Sequence, residues 1–291
     1  MRTEPRSSRR ARTRSAHRCR CATAPGWGLC SVDVLPAPYQ CRLGDADRVE
    51  VETPADCPFT LRRASMWQRW ESLTFLHWRY PADVVQQLLP HDLTVEEHGA
   101  AAWVGLVPFT MTVSLPHVSA PPWRGRFAET NVRTYVRDSA GRSGVWFFSL
   151  DAARLAAVAV ARTAYRLPYF WSSMSVRRDA DIVEYAMRRR SSGSRVESKV
   201  VLRAGEEYAS HELGALDHFL TARYRVFSRG RTKLRYVEAE HRPWPLRRGE
   251  VIALQDSLVT SAGLPAPSGD PVVHFSDGVK VRLGLPQRVS R

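Results

Sequence analysis

One stretch of the chain carries side chains able to bind a small carboxylate and to exchange a proton with it. Residues 129–137 read ETNVRTYVR, and on a β-strand alternate residues face opposite sides. One face then carries Thr and Val residues that suit a core. The other face carries Glu129, Asn131, Arg133, Tyr135 and Arg137. It is either a solvent face with cross-strand ion pairs or the inner wall of a polar pocket.

The pocket interpretation has a defined chemistry. An arginine fork matches a carboxylate in two hydrogen bonds, so Arg133 is a candidate ligand anchor, with Asn131 and Tyr135 beside it. A partly buried glutamate can act as a general acid or base, which makes Glu129 a catalytic candidate. Arg223 and Trp103 are two further ligand-binding candidates.

Two other residues are catalytic candidates with an ordinary structural alternative. Asp151 follows the predicted strand 145–150 and can equally be the N-cap of an alanine-rich helix. His241 can shuttle a proton, but a single histidine beside Trp244 can equally be a hydrogen-bonded packing residue. The sequence leaves both alternatives open.

The common catalytic signatures are missing from the sequence. It contains no Gly-x-Ser-x-Gly elbow, phosphate-binding glycine loop, dinucleotide fingerprint or His-Glu-x-x-His motif. The histidine pairs 91/98 and 211/218 are seven residues apart, whereas two ligands on one helical face are separated by four. We therefore predict no metal site and no cofactor.

Charge and cysteine content limit the partners and the compartment. The chain has 43 Lys+Arg against 29 Asp+Glu, but the basic residues are spread along its length, so nucleic-acid binding remains only an alternative. The longest weakly polar run, 152–161, is far short of the ~20 residues of a membrane span. All five cysteines lie in the first 57 residues without an export signal. We expect a cytoplasmic protein, and homo-oligomerisation stays open.

The chain divides into two unequal parts. Residues 1–65 begin with eight arginines in the first 20 positions and show no sustained periodicity. We predict a disordered Arg-rich extension, or sequence translated from a start codon placed too early; a basic arm for nucleic acid or acidic lipid is the functional alternative. Residues 66–291 hold eight of the nine tryptophans and are long enough for one substantial core.

The pattern of elements in 66–291 predicts a β-rich α+β fold dominated by antiparallel sheet. The predicted helices are 82–89, 152–165 and 216–224. The predicted strands are 73–80, 101–109, 111–115, 129–137, 145–150, 181–190, 195–203, 233–241, 272–275 and 279–283.

Several blocks of sequence, in one order from about residue 66 to residue 285, resemble the YqjF-like family of uncharacterised bacterial proteins. They are WQRW at 67–70, HW at 77–78, AWVGLVPF at 102–109, ETNVRTYV at 129–136, GVWFFSLDA at 144–152, LPYF at 167–170, FLTARY at 219–224 and HRPWP at 241–245. That family is similar to the acetoacetate decarboxylase-like superfamily. The resemblance implies a cone-like, largely antiparallel β-barrel around a small-molecule pocket, with Glu129 matching a pocket glutamate.

The resemblance also shows a departure from the decarboxylase pattern. The decarboxylase uses a Schiff-base lysine, and the nearest equivalent segment here, LPYFW at 167–171, has none. The resemblance therefore implies a pocket protein for a polar or carboxylate ligand, without lysine imine chemistry, and leaves catalysis open. The alternatives are a metal-free lyase or hydrolase acting on a small carboxylic acid, and a basic nucleic-acid-binding module.

Overall fold

A computed structural model describes residues 53–115, 125–190, 193, 195–230 and 233–289. Its strands are β1 (Met66–Tyr80), β2 (Leu93–Val95), β3 (Ala102–Ser114), β4 (Arg126–Asp138), β5 (Ser143–Ala152), β6 (Tyr169–Asp179), β7 (Ile182–Arg189), β8 (Glu197–Glu207), β9 (Arg225–Arg229), β10 (Leu234–His241), β11 (Leu246–Asp256), β12 (Val272–Leu283) and β13 (Gln287–Arg288). Its helices are α1 (Ala82–Gln86), α2 (Leu155–Val160) continued by a π-helical turn (Ala161–Tyr165), a 3₁₀ turn (Ser210–Glu212), α3 (Ala215–Thr221) and α4 (Leu258–Ser261).

All of these strands belong to one sheet. Its order is β13-β10-β9-β5-β6-β7-β8-β11-β12-β1-β3-β4-β2, and two additional pairings, β4 with β5 and β10 with β12, close the sheet on itself. Strand β5 pairs in parallel with β6 and β9, and the other described pairings are antiparallel. The predicted β-rich α+β class with a largely antiparallel sheet is confirmed.

A β-bulge in β1 controls which of its side chains face the interior beside β3. Pairing with β3 shifts by one residue between Glu71 and Leu76, where β1 has one residue more than β3, and Ser72 in this segment has a φ of 46°. One extra residue shifts the alternation of side chains by one position. Even-numbered positions before the bulge therefore face the same interior as odd-numbered positions after it.

Strand β4 keeps its alternation, whereas β5 does not. The pairing of β4 with β3 runs without interruption, so its odd-numbered side chains stay on one face. The pairing of β4 with β5 jumps from Ser149 to Phe147, which brings Phe147 and Leu150 to the same side of the sheet. Both of these β5 side chains consequently line one cavity together with those of β4.

The apolar interior is divided into clusters on the two faces of β4. Val132 belongs to a large cluster with Leu76, Leu106 and Leu202. On the other side Phe75, Phe109, Phe127 and further residues form a second cluster, which surrounds the cavity. Both faces of β4 are therefore buried, as its run of β-branched residues favours.

The helices are shorter than the sequence predicted. The predicted helix 152–165 begins at Leu155, because β5 extends to Ala152. It ends at Arg166, which has a φ of 56° and precedes Leu167-Pro168. No helix in the described ranges has the length and apolar character needed to cross a bilayer.

Part of the predicted extension packs against the sheet. Within 53–65, the Leu61 amide donates to Glu240 Oε2 over 2.9 Å, the Arg282 guanidinium donates to the Leu61 carbonyl over 2.8 Å, and Leu61 is buried. The packed chain therefore includes residues that precede Met66. The predictions made for residues 1–52, including the basic arm and four of the five cysteines, lie outside the described residues.

The bulge at Ser72 requires glycine at position 278. Gly278 has a φ of 133°, and a Cβ there would meet the Trp70 carbonyl and lie 2.9 Å from Glu71 Cα. We expect Gly278→Ala to lower the free energy of unfolding by on the order of 3 kcal/mol, combining backbone strain and overpacking.

Urea unfolding measures this effect, with Gly141→Ala as control. Gly141 also has a positive φ, 78°, but no atom lies within 4 Å of a Cβ there, so its variant isolates the cost of the backbone conformation at about 1 kcal/mol. Equal destabilisation by the two variants would show that the close approach at Gly278 contributes nothing.

Candidate small-molecule site

A cavity of about 130 Å³ lies between β1, β3, β4, β5 and the 155–165 helix. Its lining is mostly aliphatic and aromatic. Of the residues that line it, only Glu129 and Arg133 have side chains that are charged in water. A largely apolar cavity with a few convergent polar groups is the usual form of a small-molecule site.

Strand β4 supplies the polar wall of the cavity. Glu129, Asn131 and Arg133 are three successive odd-numbered positions, and all three line it. Glu129 and Asn131 are 3% and 4% exposed, so this face is not the solvent face of the alternative interpretation. The Oδ1 atom of Asn131 is buried without a hydrogen-bond partner in the described chain.

Glu129 is held in its protonated form by its surroundings. Burial raises the pKa of Glu129 to about 8, a rise that the hydrogen bond from Tyr169 opposes and the negative charge of Asp151 assists. The Tyr169 hydroxyl donates to Glu129 Oε2 over 2.9 Å. At neutral pH the Glu129 carboxyl group therefore carries a proton that it can donate.

Arg133 is held by neutral groups. Its Nη2 donates to the Leu220 carbonyl over 3.1 Å, and its guanidinium lies over the rings of Phe75 and Tyr135 with Cζ at 5.2 and 5.7 Å from their centroids. Leu220 is in the last turn of α3, where carbonyls lack intrahelical partners and attract cations. Arg133 Nε is buried without a hydrogen-bond partner among the described residues.

Tyr135 lies directly beneath Arg133. Its hydroxyl donates to the Leu220 carbonyl over 2.6 Å and lies 2.6 Å from His77 Nε2. Because that proton is used on Leu220, the imidazole Nε2–H donates to the Tyr135 oxygen. Burial, with the positive charges of Arg133 and His274, keeps the pKa of His77 well below its usual range. His77 is consequently neutral, and it positions Tyr135 without adding charge.

Two other arginines with little exposed side chain, Arg189 and Arg223, have carboxylate partners, in contrast to Arg133. Arg189 donates to both oxygens of Asp151 over 2.9 and 2.7 Å, and Arg223 lies 3.0 Å from Glu96. No described carboxylate forms an ion pair with Arg133. The cavity thus holds a cation whose counter-charge the described chain does not supply.

Three predicted ligand-binding residues, Tyr135, Arg223 and Trp103, do not line the cavity. Arg223 is 5% exposed and is engaged by Glu96. Trp103 packs beside Tyr135 and Phe219, and its indole nitrogen donates to a backbone carbonyl over 3.1 Å. Arg223 and Trp103 both pack against Tyr135, whose ring in turn contacts the Arg133 guanidinium.

Two predicted catalytic residues also lie elsewhere. Asp151 is within β5 on the face opposite Leu150, fully buried against Arg189 and Ser172, so the prediction that it caps a helix is wrong. His241 Nδ1 donates to its neighbouring backbone carbonyl over 2.7 Å, and its ring packs 5.1 Å from that of Trp244. The packing alternative for His241 is the one observed.

The aromatic part of the cavity wall was not assigned to a site by the sequence. Tyr169 comes from β6, a strand the sequence analysis did not predict. Tyr165 comes from the π-helical turn, and Trp70 and Trp244 come from distant parts of the chain. The sequence blocks that resemble the family are rich in aromatic residues, and this was the available signal for the cavity wall. It did not distinguish aromatic residues of the core from those that line the cavity.

The described residues offer neither an amine nor a metal-binding cluster at the cavity. Lys199 pairs with Glu184 over 3.2 Å at an exposed position, and Lys233 and Lys280 are exposed. Among the described side chains, no three His, Cys, Asp or Glu residues converge as metal ligands would. Chemistry at this site would therefore depend on Glu129, Arg133 and their hydrogen-bonded neighbours.

The closed sheet around such a cavity matches solved structures of one class. The enduracididine biosynthesis enzyme MppR with HEPES buffer bound superposes with a TM-score of 0.58 at 14% identity, over 78% of this chain and 89% of MppR. Acetoacetate decarboxylase from Legionella pneumophila gives 0.52 at 13%, over 80% and 92%. An acetoacetate decarboxylase-like enzyme from Sphingomonas wittichii RW1 gives 0.55 at 11%, over 80% and 96%. This protein has an acetoacetate decarboxylase-like fold.

Sequence similarity defines a narrower group within that fold. The chain is 31% identical to the uncharacterized protein YqjF of Bacillus subtilis (strain 168) over 212 residues, which cover 72% of this chain and 87% of YqjF. The model of the DUF2071 family of uncharacterized conserved proteins matches residues 67–280. The chain belongs to the DUF2071 family, and the predicted resemblance to YqjF is confirmed.

The raised pKa of Glu129 predicts a specific dependence of stability on pH. Because the folded-state pKa of about 8 exceeds the ordinary value, the contribution of Glu129 to stability is complete below pH 4.5 and is lost as pH rises to about 8. The loss follows a slope of at most about 1.4 kcal/mol per pH unit. We expect Glu129→Gln to remove this dependence, so that the variant gains stability relative to the wild type between pH 5 and pH 8.

Urea unfolding at pH 5, 6.5, 8 and 9 checks the prediction. Glu250→Gln, at an exposed position, is the control and should leave the wild-type pH profile unchanged. Parallel profiles for the wild type and Glu129→Gln would contradict a protonated Glu129.

Proposed function

We propose that this protein binds a small carboxylate in its cavity, with Arg133 as the anchor. The observation that carries the proposal is a cavity-lining guanidinium without an internal carboxylate partner. A charge removed from water is unfavourable unless it is paired. Arg189 and Arg223 are paired within the chain, whereas a ligand would complete the environment of Arg133.

The neighbours of Arg133 support a carboxylate rather than another anion. An arginine fork and a carboxylate form two parallel hydrogen bonds, and a protonated Glu129 can donate to the same ligand without repelling it. The volume of about 130 Å³ is near the roughly 150 Å³ of an engineered apolar cavity that binds benzene. The ligand is therefore small and predominantly apolar apart from its acid group.

A metal-free enzyme acting on a small carboxylic acid is the second candidate, and Glu129 is the observation that favours it. A carboxyl group with a pKa of about 8 can both give and accept a proton near neutral pH. No described lysine reaches the cavity, so a Schiff base has no amine there. A lyase or hydrolase reaction would proceed by acid–base chemistry at Glu129.

Replacing Arg133 tests the binding proposal. We expect Arg133→Met to weaken binding of small carboxylates about 10- to 100-fold, because it removes a charge-assisted hydrogen bond. The unliganded variant should remain folded, since Tyr135 still donates to the Leu220 carbonyl. Isothermal titration of the full-length chain with aliphatic, β-keto and aromatic monocarboxylates gives the affinities.

Arg69→Met is the matched control for that titration. Arg69 is on β1 with its side chain 55% exposed, and its variant should bind as the wild type does. Undiminished affinity in Arg133→Met would contradict the anchor. Absence of binding by every carboxylate in the panel at millimolar concentration would contradict the proposed function.

Isotope exchange separates the enzyme from the binding protein. If Glu129 takes a proton from the carbon beside a ligand carbonyl and returns it, bound pyruvate or acetoacetate should incorporate deuterium from D₂O faster than in buffer. We expect Glu129→Gln to abolish this exchange and to retain binding. Proton NMR of the ligand follows the reaction, and exchange at the buffer rate would identify a binding protein.

A further inference from the structure

We infer that the cavity takes an aromatic monocarboxylate, whose ring packs against the paired indoles of Trp70 and Trp244 while its acid group meets Arg133. This inference rests on the proposed function, because it uses Arg133 as the carboxylate anchor. It adds the chemical class of the apolar part of the ligand, which a binding site for carboxylates in general leaves open.

An aromatic wall leads away from Arg133. The guanidinium lies over Phe75, the Phe75 ring meets Trp244 edge-on at 5.3 Å and 86°, and Trp244 is nearly parallel to Trp70 at 6.0 Å and 17°. Phe109 then meets Trp70 edge-on at 6.0 Å. Trp70, Trp244 and Phe109 line the cavity, so the aromatic surface continues from the anchor into the apolar space.

The two indoles pack against each other, and their N–H groups donate to partners inside the protein rather than to a ligand. Trp70 Nε1 donates to Gln68 Oε1 over 2.6 Å, and Trp244 Nε1 donates to the Thr221 carbonyl over 3.1 Å. With these donors used inside the protein, this part of the wall has π surface for stacking and no indole hydrogen bond for a hydroxyl group. A flat apolar ring suits such a surface better than a sugar or a polyol.

The positions of the polar and aromatic surfaces also determine the orientation of the ligand in the cavity. Acid-binding groups lie on β4, and the indoles lie on β1 and beyond β10, so the polar and aromatic surfaces are separate. A molecule with one acid group attached to one ring satisfies both surfaces together. The volume of about 130 Å³ limits the ligand to one ring, since a cavity of roughly 150 Å³ holds one benzene molecule.

The test compares two acids that differ in aromaticity. Benzoate and cyclohexanecarboxylate have the same charge and the same number of non-hydrogen atoms, so burial and the anchor contribute similarly to both. Stacking on aromatic side chains favours benzoate, and we expect it to bind the full-length wild-type chain about fivefold more tightly in isothermal titration.

Tryptophan variants test which side chains cause the preference for benzoate. Trp70→Leu and Trp244→Leu should each reduce the benzoate to cyclohexanecarboxylate affinity ratio toward one. Trp67→Leu is the matched control, since Trp67 is 43% exposed on the opposite face of β1 and should keep the wild-type ratio. The wild-type ratio needs no variant, so the test stands even where a tryptophan variant fails to fold.

The outcomes distinguish this inference from the proposed function. Equal affinity for the two acids, or tighter binding of cyclohexanecarboxylate, overturns the aromatic class and leaves the carboxylate anchor intact. Benzyl alcohol binding as tightly as benzoate overturns the anchor instead. A ratio unchanged in both folded cavity variants overturns the placement of the ring on Trp70 and Trp244.

Discussion

A guanidinium group that lines an apolar cavity needs hydrogen-bond acceptors, and Arg133 obtains a neutral one from the end of α3. The Leu220 carbonyl accepts hydrogen bonds from both Arg133 and Tyr135. At the other end of the helix, Asp217 accepts a hydrogen bond from His274 Nε2 over 2.7 Å. Helix α3 is therefore fixed to the sheet at both ends, and the position of the cation follows from it. The aromatic wall, the protonated Glu129 and the closed sheet all surround this one charge.

Two β-bulges in the sheet change which side chains face the cavity around that charge. The bulges in β1 and β5 bring both even-numbered and odd-numbered side chains of each strand to the cavity. Gly105, opposite Arg133 on β3, completes the arrangement by having no side chain: a Cβ there would lie 2.7 Å from His77 Nε2 and 3.5 Å from Arg133 Cγ. A residue of any other type would push apart the two groups whose contact with Tyr135 orients the cavity.

Period-2 alternation placed Glu129, Asn131 and Arg133 on one face of β4, because β4 pairs with β3 without a bulge, but it left open whether that face meets solvent or a cavity. Glu129, Asn131 and Arg133 therefore lie together as the pattern indicated. The hairpins β4–β5 and β7–β8 were also predictable, since each has turn residues between two strand-forming runs. Strand β6 was missed because its outer half is polar and arginine-rich. The role of Asp151 stayed open in the sequence because strand and helix follow each other within three residues, and an aspartate suits either context. The pairing of Trp70 with Trp244 depends on sheet closure, which local sequence does not encode.

The neutral carboxyl group of Glu129 has a consequence for the thermodynamics of the proposed complex. A ligand carboxylate held at Arg133 places negative charge near Glu129, which favours the protonated form of that side chain still further. Binding near pH 8 is then accompanied by uptake of a fraction of a proton from the buffer, so the measured enthalpy varies with the ionisation enthalpy of the buffer. Thermodynamically, the cavity takes up the anion and the proton together, as the equivalent of one neutral acid.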